Sequence, residues 1–279
     1  MLNELNNFVY VNHLGQRFDS LANGVYLNHS NILDYSWNYD VVNDRISRFY
    51  RSTTKRSLPL VVIGKTEEEA KAARTRLFEI AEADIFAMLP GKIYVGEHYS
   101  TGFITASKKS RYLYNKRYCN LALEFTSADP AWYLERTHTF LPGSGETIGV
   151  GGGTDYPYDY PYDYALSTTG RSIVCDTVGN SAFRLLIYGT AVNPSIVIGG
   201  HRYAINGSVG ADETLLIDSL AKTITLTTAL GNKINWFDKR GREDYIFEPI
   251  PAGKNTVSWL DTFGFDLTVI EKRSEPRWT

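Results

Sequence analysis

The residue types that most often carry catalysis or hold metals are scattered along this sequence. Neither the histidines nor the two cysteines, Cys119 and Cys175, form a helical i, i+4 pair or a cluster with the spacing of zinc sites. A Gly-x-Ser-x-Gly motif is absent, and neither cysteine stands in a sequence typical of a reactive thiolate. We therefore predict no catalytic residue, no metal site, no cofactor and no enzymatic activity. The sequence alone does not exclude a pair of carboxylates for glycoside hydrolysis, because folding can bring distant acids together. The histidines are His13, His29, His98, His138 and His201.

Two short stretches could bind phosphate or calcium, but each lacks something that the chemistry needs. Residues 63–66 (IGKT) lie between a predicted strand and a predicted helix, where a phosphate-binding loop would be, but Pro59 occupies the position of its first glycine. Asp155, Asp159 and Asp163 recur every four residues without the oxygen-bearing neighbours and the turn glycine of a calcium loop. Neither a nucleotide nor a calcium ion is predicted to bind.

Aromatic rings are the remaining candidates for binding chemistry. The chain has 19 tyrosines, 13 phenylalanines and five tryptophans. Tyrosine-rich β surfaces can stack on sugar rings, whereas a half-buried role in packing is the plain alternative. The residues predicted to contact a sugar or a partner are Tyr158, Tyr162, Trp236 and Trp259.

A basic segment interrupts the strand pattern between residues 40 and 57. It is polar, and it runs directly into the apolar stretch LPLVVIG at residues 58–64. Such a segment predicts a long projecting hairpin or a loop that meets an acidic surface, and a solvated loop is the alternative. Its regularly spaced cations are Arg45, Arg48, Arg51, Lys55 and Arg56.

The composition predicts a mostly β protein without a membrane segment. Aromatic residues make up 13% of the 279 residues and threonine and valine are frequent, which favours pleated sheets. The net charge of −2 argues against specific nucleic-acid binding, which needs a basic surface. No window is apolar enough for a signal peptide or a membrane span, so we expect synthesis in the cytoplasm and buried, reduced cysteines.

One helix is predicted, over about residues 66–88. Thr66 and Glu69 have the spacing of a capping box, apolar residues then recur every three or four positions, and Pro90-Gly91 ends the pattern. The flanking segments read as strands, which predicts a β-sheet or split-barrel domain carrying one helix. The predicted strands of this half are residues 5–11, 24–27, 32–39, 58–64, 92–96, 97–107, 111–115 and 117–126.

The stretch TDYPYDYPYDYALSTTG, residues 154–170, separates two halves of different character. Pro157 and Pro161 prevent a helix there, and the glycine-rich run GSGETIGVGGG precedes it. After it, short strands at regular spacing predict a β-sandwich or jelly roll. We predict an N-terminal domain at 1–140, a joint at 141–170 and a C-terminal sandwich at 171–279.

The order of these parts resembles the distal tail proteins of long-tailed bacteriophages and related prophage particles. The resemblance rests on the YPYDYPYDY joint, NPSIVIGGHRYAING, the LLIDSLAKTITLTT hairpin and the closing FGFDLTVIEKRSEPRW. It covers essentially the whole chain and is most specific after residue 154. It implies a galectin-like C-terminal sandwich and a structural role in the virion tail.

The resemblance further implies a hexameric ring at the end of the tail tube. N-terminal domains would form the hub, and C-terminal sandwiches would hold other proteins of the baseplate. The implied partners are further copies of the chain, the tail tube protein, tail-tip or baseplate hub proteins and a receptor-binding protein, while DNA can pass through the ring.

A closed ring of identical subunits needs two different contact surfaces on each copy. The basic segment is our candidate for one of them, with Arg45, Arg48, Arg51, Lys55 and Arg56 as its contact residues. The alternative function is a carbohydrate-binding tail protein whose C-terminal sandwich contacts host-surface glycans through the tyrosines and tryptophans named above.

Overall fold

The computed structural model describes residues 7–28, 30–110, 117–143, 146–147 and 169–277. The chain divides into two compact units, residues 1–134 together with 272–279, and residues 135–271. Antiparallel strands dominate both units and one α-helix is present among the described residues, which confirms the mostly β prediction. Most of the predicted joint, and with it Tyr158 and Tyr162, lies outside the described residues.

The strands of the first unit form antiparallel sheets that meet on one long strand, β8. The pairings give the order β2-β1-β7-β8-β9-β6-β3, while β4 and β5 pair only with each other. β8 pairs with β7 through its first five residues and with β9 beyond them, with a bulge between Ile104 and Ala106. The strands are β1 Val9–Val11, β2 Arg17–Asp19, β3 Val25–Leu27, β4 Asn38–Val42, β5 Arg45–Tyr50, β6 Thr54–Ile63, β7 Gly91–Val95, β8 His98–Ser110, β9 Tyr118–Ser127 and β10 Trp132–Phe140, whose later part belongs to the second unit.

The strand predicted at residues 32–39 is wrong over most of its length. The Ser30 hydroxyl accepts a hydrogen bond from the amide of Ile32, and the Asn31 side chain accepts one from the amide of Ser57. These side-chain bonds hold a turn, which short polar residues favour over a sheet ladder. The strand begins only at Asn38.

Helix α1, Glu67–Ala87, begins and ends where its capping residues predict. The Thr66 side chain accepts a hydrogen bond from the Glu69 amide at 3.2 Å, and Met88 closes the helix in the left-handed conformation. The buried residues of α1 are Ala70, Ala73, Leu77, Ile80, Ala81 and Asp84. Its apolar side chains share one core with the inward residues of β6 and β9, where Cys119, Leu121, Leu123 and Phe125 alternate with more exposed neighbours.

The second unit is a sandwich of two antiparallel sheets around one core. One sheet has the order β22-β13-β18-β19-β20 and the other β11-β12-β21-β15-β16. Both contribute inward residues to a single apolar cluster that includes Phe183, Ile196, Leu215 and Val257. The strands are β11 Glu146–Thr147, β12 Thr169–Cys175, β13 Ala182–Tyr188, β14 Ala191–Val192, β15 Ser195–Ile198, β16 His201–Ala204, β17 Ser208–Val209, β18 Thr214–Asp218, β19 Thr223–Thr227, β20 Lys233–Asn235, β21 Gly253–Trp259 and β22 Gly264–Arg273.

Both cysteines are buried and free, each in the core of its own unit. Within the described part of the chain, no helix is long and apolar enough to cross a membrane.

Candidate functional site

Most of the basic segment forms a two-stranded hairpin, β4–β5, whose strands are joined by a two-residue turn. Val42 pairs with Arg45, so Asn43 and Asp44 alone make the connection, with φ values of 50° and 57°. Two consecutive positive φ angles define a type I′ turn, whose twist matches that of the strands. Asn and Asp tolerate this conformation better than other residues with side chains, so the local sequence explains the turn.

One face of the hairpin is aromatic and aliphatic. Tyr39 pairs with Phe49 and Val41 with Ile46. A bulge between Asp40 and Val41 separates these two pairs. Cross-strand partners point to the same face, as do residues two apart in a strand. The Phe49 ring lies 6.4 Å from the Tyr39 ring and 6.4 Å from the Trp37 ring, in edge-to-face geometry. We call the set of Trp37, Tyr39, Val41, Ile46 and Phe49 the aromatic face.

No core of the described residues covers the aromatic face. Tyr39 and Phe49 are each 58% exposed, and neither core cluster includes a residue of β4 or β5. A two-stranded hairpin is marginally stable by itself, and a contiguous exposed apolar patch usually marks an interaction site. The hairpin is therefore the strongest candidate for a binding surface in the described residues.

Three guanidinium groups of residues 45–51 form no ion pair with a described residue, although Arg48 stands opposite Asp40 in the register. Arg51 stacks 4.1 Å from the Trp37 ring and donates a hydrogen bond to the Ser274 hydroxyl at 2.7 Å. Arg48 lies 5.4 Å from the Tyr50 ring. Within the described residues, no acid lies within the 4.0 Å of an ion pair from Arg45, Arg48 or Arg51. None of these three guanidinium groups is therefore neutralised by an ion pair within the described residues.

The other two predicted cations of this segment belong to the sheet instead of the hairpin. Lys55 forms an ion pair at 2.9 Å with Glu124, and its hydrogen bond lowers the pKa of that carboxyl. Arg56 is 1% exposed, and its guanidinium donates to the Ser100 hydroxyl and to the Pro130 carbonyl. Burial lowers the pKa of Arg56 to about 10. The prediction that Arg56 contacts another copy is wrong, because its side chain points into its own unit.

The structure also corrects the prediction that Trp236 and Trp259 contact a sugar or a partner. Trp259 is 2% exposed, lies edge-to-face with Phe140 and Phe265, and donates its indole N–H to the Phe263 carbonyl. A ring enclosed in this way cannot stack on a sugar. Trp236 is half-buried against the core and covers Gly207, where an added Cβ would lie 2.9 Å from the ring. The two tryptophans thus have structural roles.

The start of α1 occupies the space beside residues 63–66 where a phosphate would bind. An added Cβ at Gly64 would lie 2.7 Å from the amide nitrogen of Ala70, so the helix start sits directly on this glycine. The amide of Lys65 donates to the Glu69 carboxylate at 2.8 Å, and the amide of Glu69 donates to Thr66. The donors that would meet a phosphate are already used.

A buried polar cluster was missed by sequence reasoning. Asp84, in the last turn of α1, accepts hydrogen bonds from the Tyr10 hydroxyl at 2.5 Å and from the amide of His13 at 2.8 Å. The His13 ring lies 2.6 Å from the same carboxylate. Burial, followed by the bond to Asp84, raises the pKa of Tyr10. A buried acid in an apolar helical stripe was the available signal, since such an acid needs partners.

No group of three His, Cys, Asp or Glu side chains suited to a metal occurs in residues 7–28, 30–110, 117–143, 146–147 and 169–277. The structure does bring together the aromatic and cationic side chains of the hairpin. The exposed aromatic face suits contact with an apolar protein surface.

Structural comparison places both units in one known architecture. The chain superposes on the crystal structure of the Dit protein of phage SPP1, described as a hub of the adsorption apparatus in phages that infect Gram-positive bacteria. The TM-score is 0.55 at 11% identity, over 95% of this chain and 98% of that one. It is also similar to a chain of the phage P2 baseplate in its activated conformation with calcium, with a TM-score of 0.62 at 13% identity.

The chain shares its fold with these phage proteins. The match to the P2 chain covers 97% of this chain and 99% of that one, so the shared fold includes residues of both units. The same baseplate with strontium gives a TM-score of 0.61 at 13% identity. No protein-family model and no curated protein matches the chain in sequence.

Proposed function

We propose that this chain is a non-enzymatic structural component of a phage or prophage-derived tail tip. Six copies form a ring that joins the tail tube to the tip, and the C-terminal sandwiches anchor receptor-binding or other tip proteins. The observation that carries this proposal is the hub fold, which extends over at least 95% of the chain. The ring's other partners are the tail tube protein and the baseplate hub proteins.

The β4–β5 hairpin of each copy contacts the neighbouring copy in the ring. Its three rings are about half exposed, so together they offer about 250–400 Å² of surface to a partner, given that a fully buried aromatic side chain covers about 150–250 Å². A stable interface buries about 800 Å² on each partner. The aromatic face is thus large enough to be the centre of such an interface, with a rim around it.

Charge supports the same role. Arg51 stacks on Trp37 at the aromatic face, whereas Arg45 and Arg48 lie on the opposite face of the hairpin, and none of the three forms an ion pair with a described residue. Acids of a neighbouring copy would form such pairs, steer the encounter and make ring formation weaker at high salt.

Particle mass is the direct test. Residues Tyr39 to Phe49 are replaced by Asn-Gly, which joins the paired residues Asn38 and Tyr50 through a two-residue turn, removes two of the three rings and leaves β6 intact. We expect the full-length protein to reach six times 31.4 kDa as its concentration rises in mass photometry or sedimentation, and the shortened protein to stay monomeric. Leu230→Ser, which changes an exposed residue of the second unit, is the control and should assemble normally.

The proposal has a clear contrary outcome. The ring would be contradicted if the full-length protein stays monomeric up to its solubility limit and also fails to assemble when tail tube protein is added. Intact rings of the shortened protein would instead contradict the role of the hairpin.

A further inference from the structure

The base of the β4–β5 hairpin is organised around Arg51. Asn38 pairs with Tyr50, and the same register places Trp37 opposite Arg51, on the side of the aromatic face. The Arg51 guanidinium stacks 4.1 Å from the Trp37 ring, and that ring lies edge-to-face with Phe49. Whatever fixes Arg51 therefore also fixes the first ring of the aromatic face.

Arg51 is fixed by a residue from a distant part of the chain. Its guanidinium donates a hydrogen bond at 2.7 Å to the hydroxyl of Ser274, which is 223 positions away in the sequence. Ser274 follows directly after β22 and belongs to the same compact unit as the hairpin. A hydrogen bond from an ionised donor is stronger than a neutral one, and both residues are half-buried, which reduces the competition from water.

Ser274 is itself held in place by contacts that do not involve Arg51. The Lys272 ammonium forms an ion pair at 2.7 Å with Asp129, which lies just after β9, and it stands 5.6 Å from the Tyr133 ring. The hydroxyl of Tyr133, a buried residue of β10, donates to the same Asp129 carboxylate. The end of β22 is thus fastened to the first unit, and Ser274 is a fixed acceptor for Arg51.

The hairpin needs support of this kind. Its two strands pair only with each other, and no residue of either strand belongs to a core cluster. A two-stranded hairpin is marginally stable by itself and opens locally at a small free-energy cost. A fixed contact at the base limits the orientations of the unbound hairpin, so less conformational entropy is lost when a partner buries the aromatic face.

We propose that Ser274 is a positioning residue, which orders the hairpin through Arg51 and presents the aromatic face for self-association. The assembly part of this inference rests on the proposed ring, whereas the ordering of the hairpin is a property of the single chain. The role depends on the hydroxyl, since threonine retains this acceptor and alanine lacks it.

Hydrogen–deuterium exchange at a concentration where the protein is monomeric tests the ordering directly. In Ser274→Ala, the amides that join β4 to β5 should exchange about two- to tenfold faster than in the parent, a factor that corresponds to the net free energy of one hydrogen bond. Ser274→Thr keeps the hydroxyl and should exchange like the parent. Ser208→Ala changes an exposed serine of the second unit and should leave the exchange of the hairpin unchanged.

Sedimentation velocity gives the second readout. The dissociation constant for self-association should rise about two- to tenfold in Ser274→Ala and stay constant in Ser274→Thr. Hairpin amides that exchange equally fast in the parent and in Ser274→Ala would overturn the positioning role, whether or not rings form. An unchanged dissociation constant despite faster exchange would overturn the role in association. Faster exchange in Ser274→Ala, with no ring from the parent even when tail tube protein is added, would support the ordering of the hairpin and refute the ring.

Discussion

Phe49→Ser in the hairpin should weaken assembly without unfolding the protein. The Phe49 side chain is 58% exposed in the single chain. A neighbour that covered it would bury about 90–150 Å² more, since a phenylalanine side chain buries about 150–250 Å² in total. At about 25 cal/mol per Å², this burial contributes about 2–4 kcal/mol to association. The expected rise in the dissociation constant is therefore about 30-fold to several hundred-fold.

Sedimentation velocity over a concentration series measures this change, and thermal unfolding followed by circular dichroism checks the fold. The melting temperature should barely move, because no residue of the hairpin belongs to a core cluster and the hairpin can open locally. Tyr245→Ser is the matched control, an aromatic residue of the second unit that is 55% exposed. A Phe49→Ser protein that associates as tightly as its parent would refute the assignment of the aromatic face to an interface.

Three further predictions concern stability and its pH dependence. Gly91→Ala should lower the free energy of unfolding in urea by about 1–3 kcal/mol, since the added methyl has no room, whereas Gly179→Ala, with open space around it, should change it little. Arg56→Met should lower the free energy of unfolding by about 1–3 kcal/mol, because the buried Pro130 carbonyl loses its hydrogen-bond donor; an unchanged value in urea unfolding would show that this bond does not stabilise the fold. Burial alone would raise the pKa of Asp129, but hydrogen bonds, first that of Lys272, outweigh it and lower the pKa. Its contribution is then present above the unfolded pKa of about 4 and is lost as pH falls through the folded value, so Asp129→Asn should flatten the acid limb of the stability profile measured from pH 7 downwards.

Much of the secondary structure was predictable because it depends on short-range chemistry. The alternation of β9 and the capping of α1 by Thr66 are local patterns, and the structure follows both. The strand predicted at residues 32–39 is wrong for a different local reason. Ser30 and Asn31 form side-chain hydrogen bonds, which a count of aromatic and β-branched residues does not include.

The candidate site was predictable only in part. The sequence indicates a basic excursion that could project as a hairpin, and Arg45, Arg48 and Arg51 lie on or beside it. It does not indicate that Arg56, five residues further along, points inwards, because one step along a strand reverses the face on which a side chain lies. It also does not indicate that Tyr39 and Phe49 share a face, since a bulge and the cross-strand register decide which residues meet.

Composition, periodicity and capping by themselves determined that this chain is mostly β with one amphipathic helix, because these features depend on residues close together along the chain. Only the tertiary structure decided which large side chains stay uncovered. Trp259 and Phe86 are both large apolar residues in the sequence, yet one is enclosed by two sheets and the other is exposed at a helix end. Burial depends on what distant segments bring to a residue, and that information is not local.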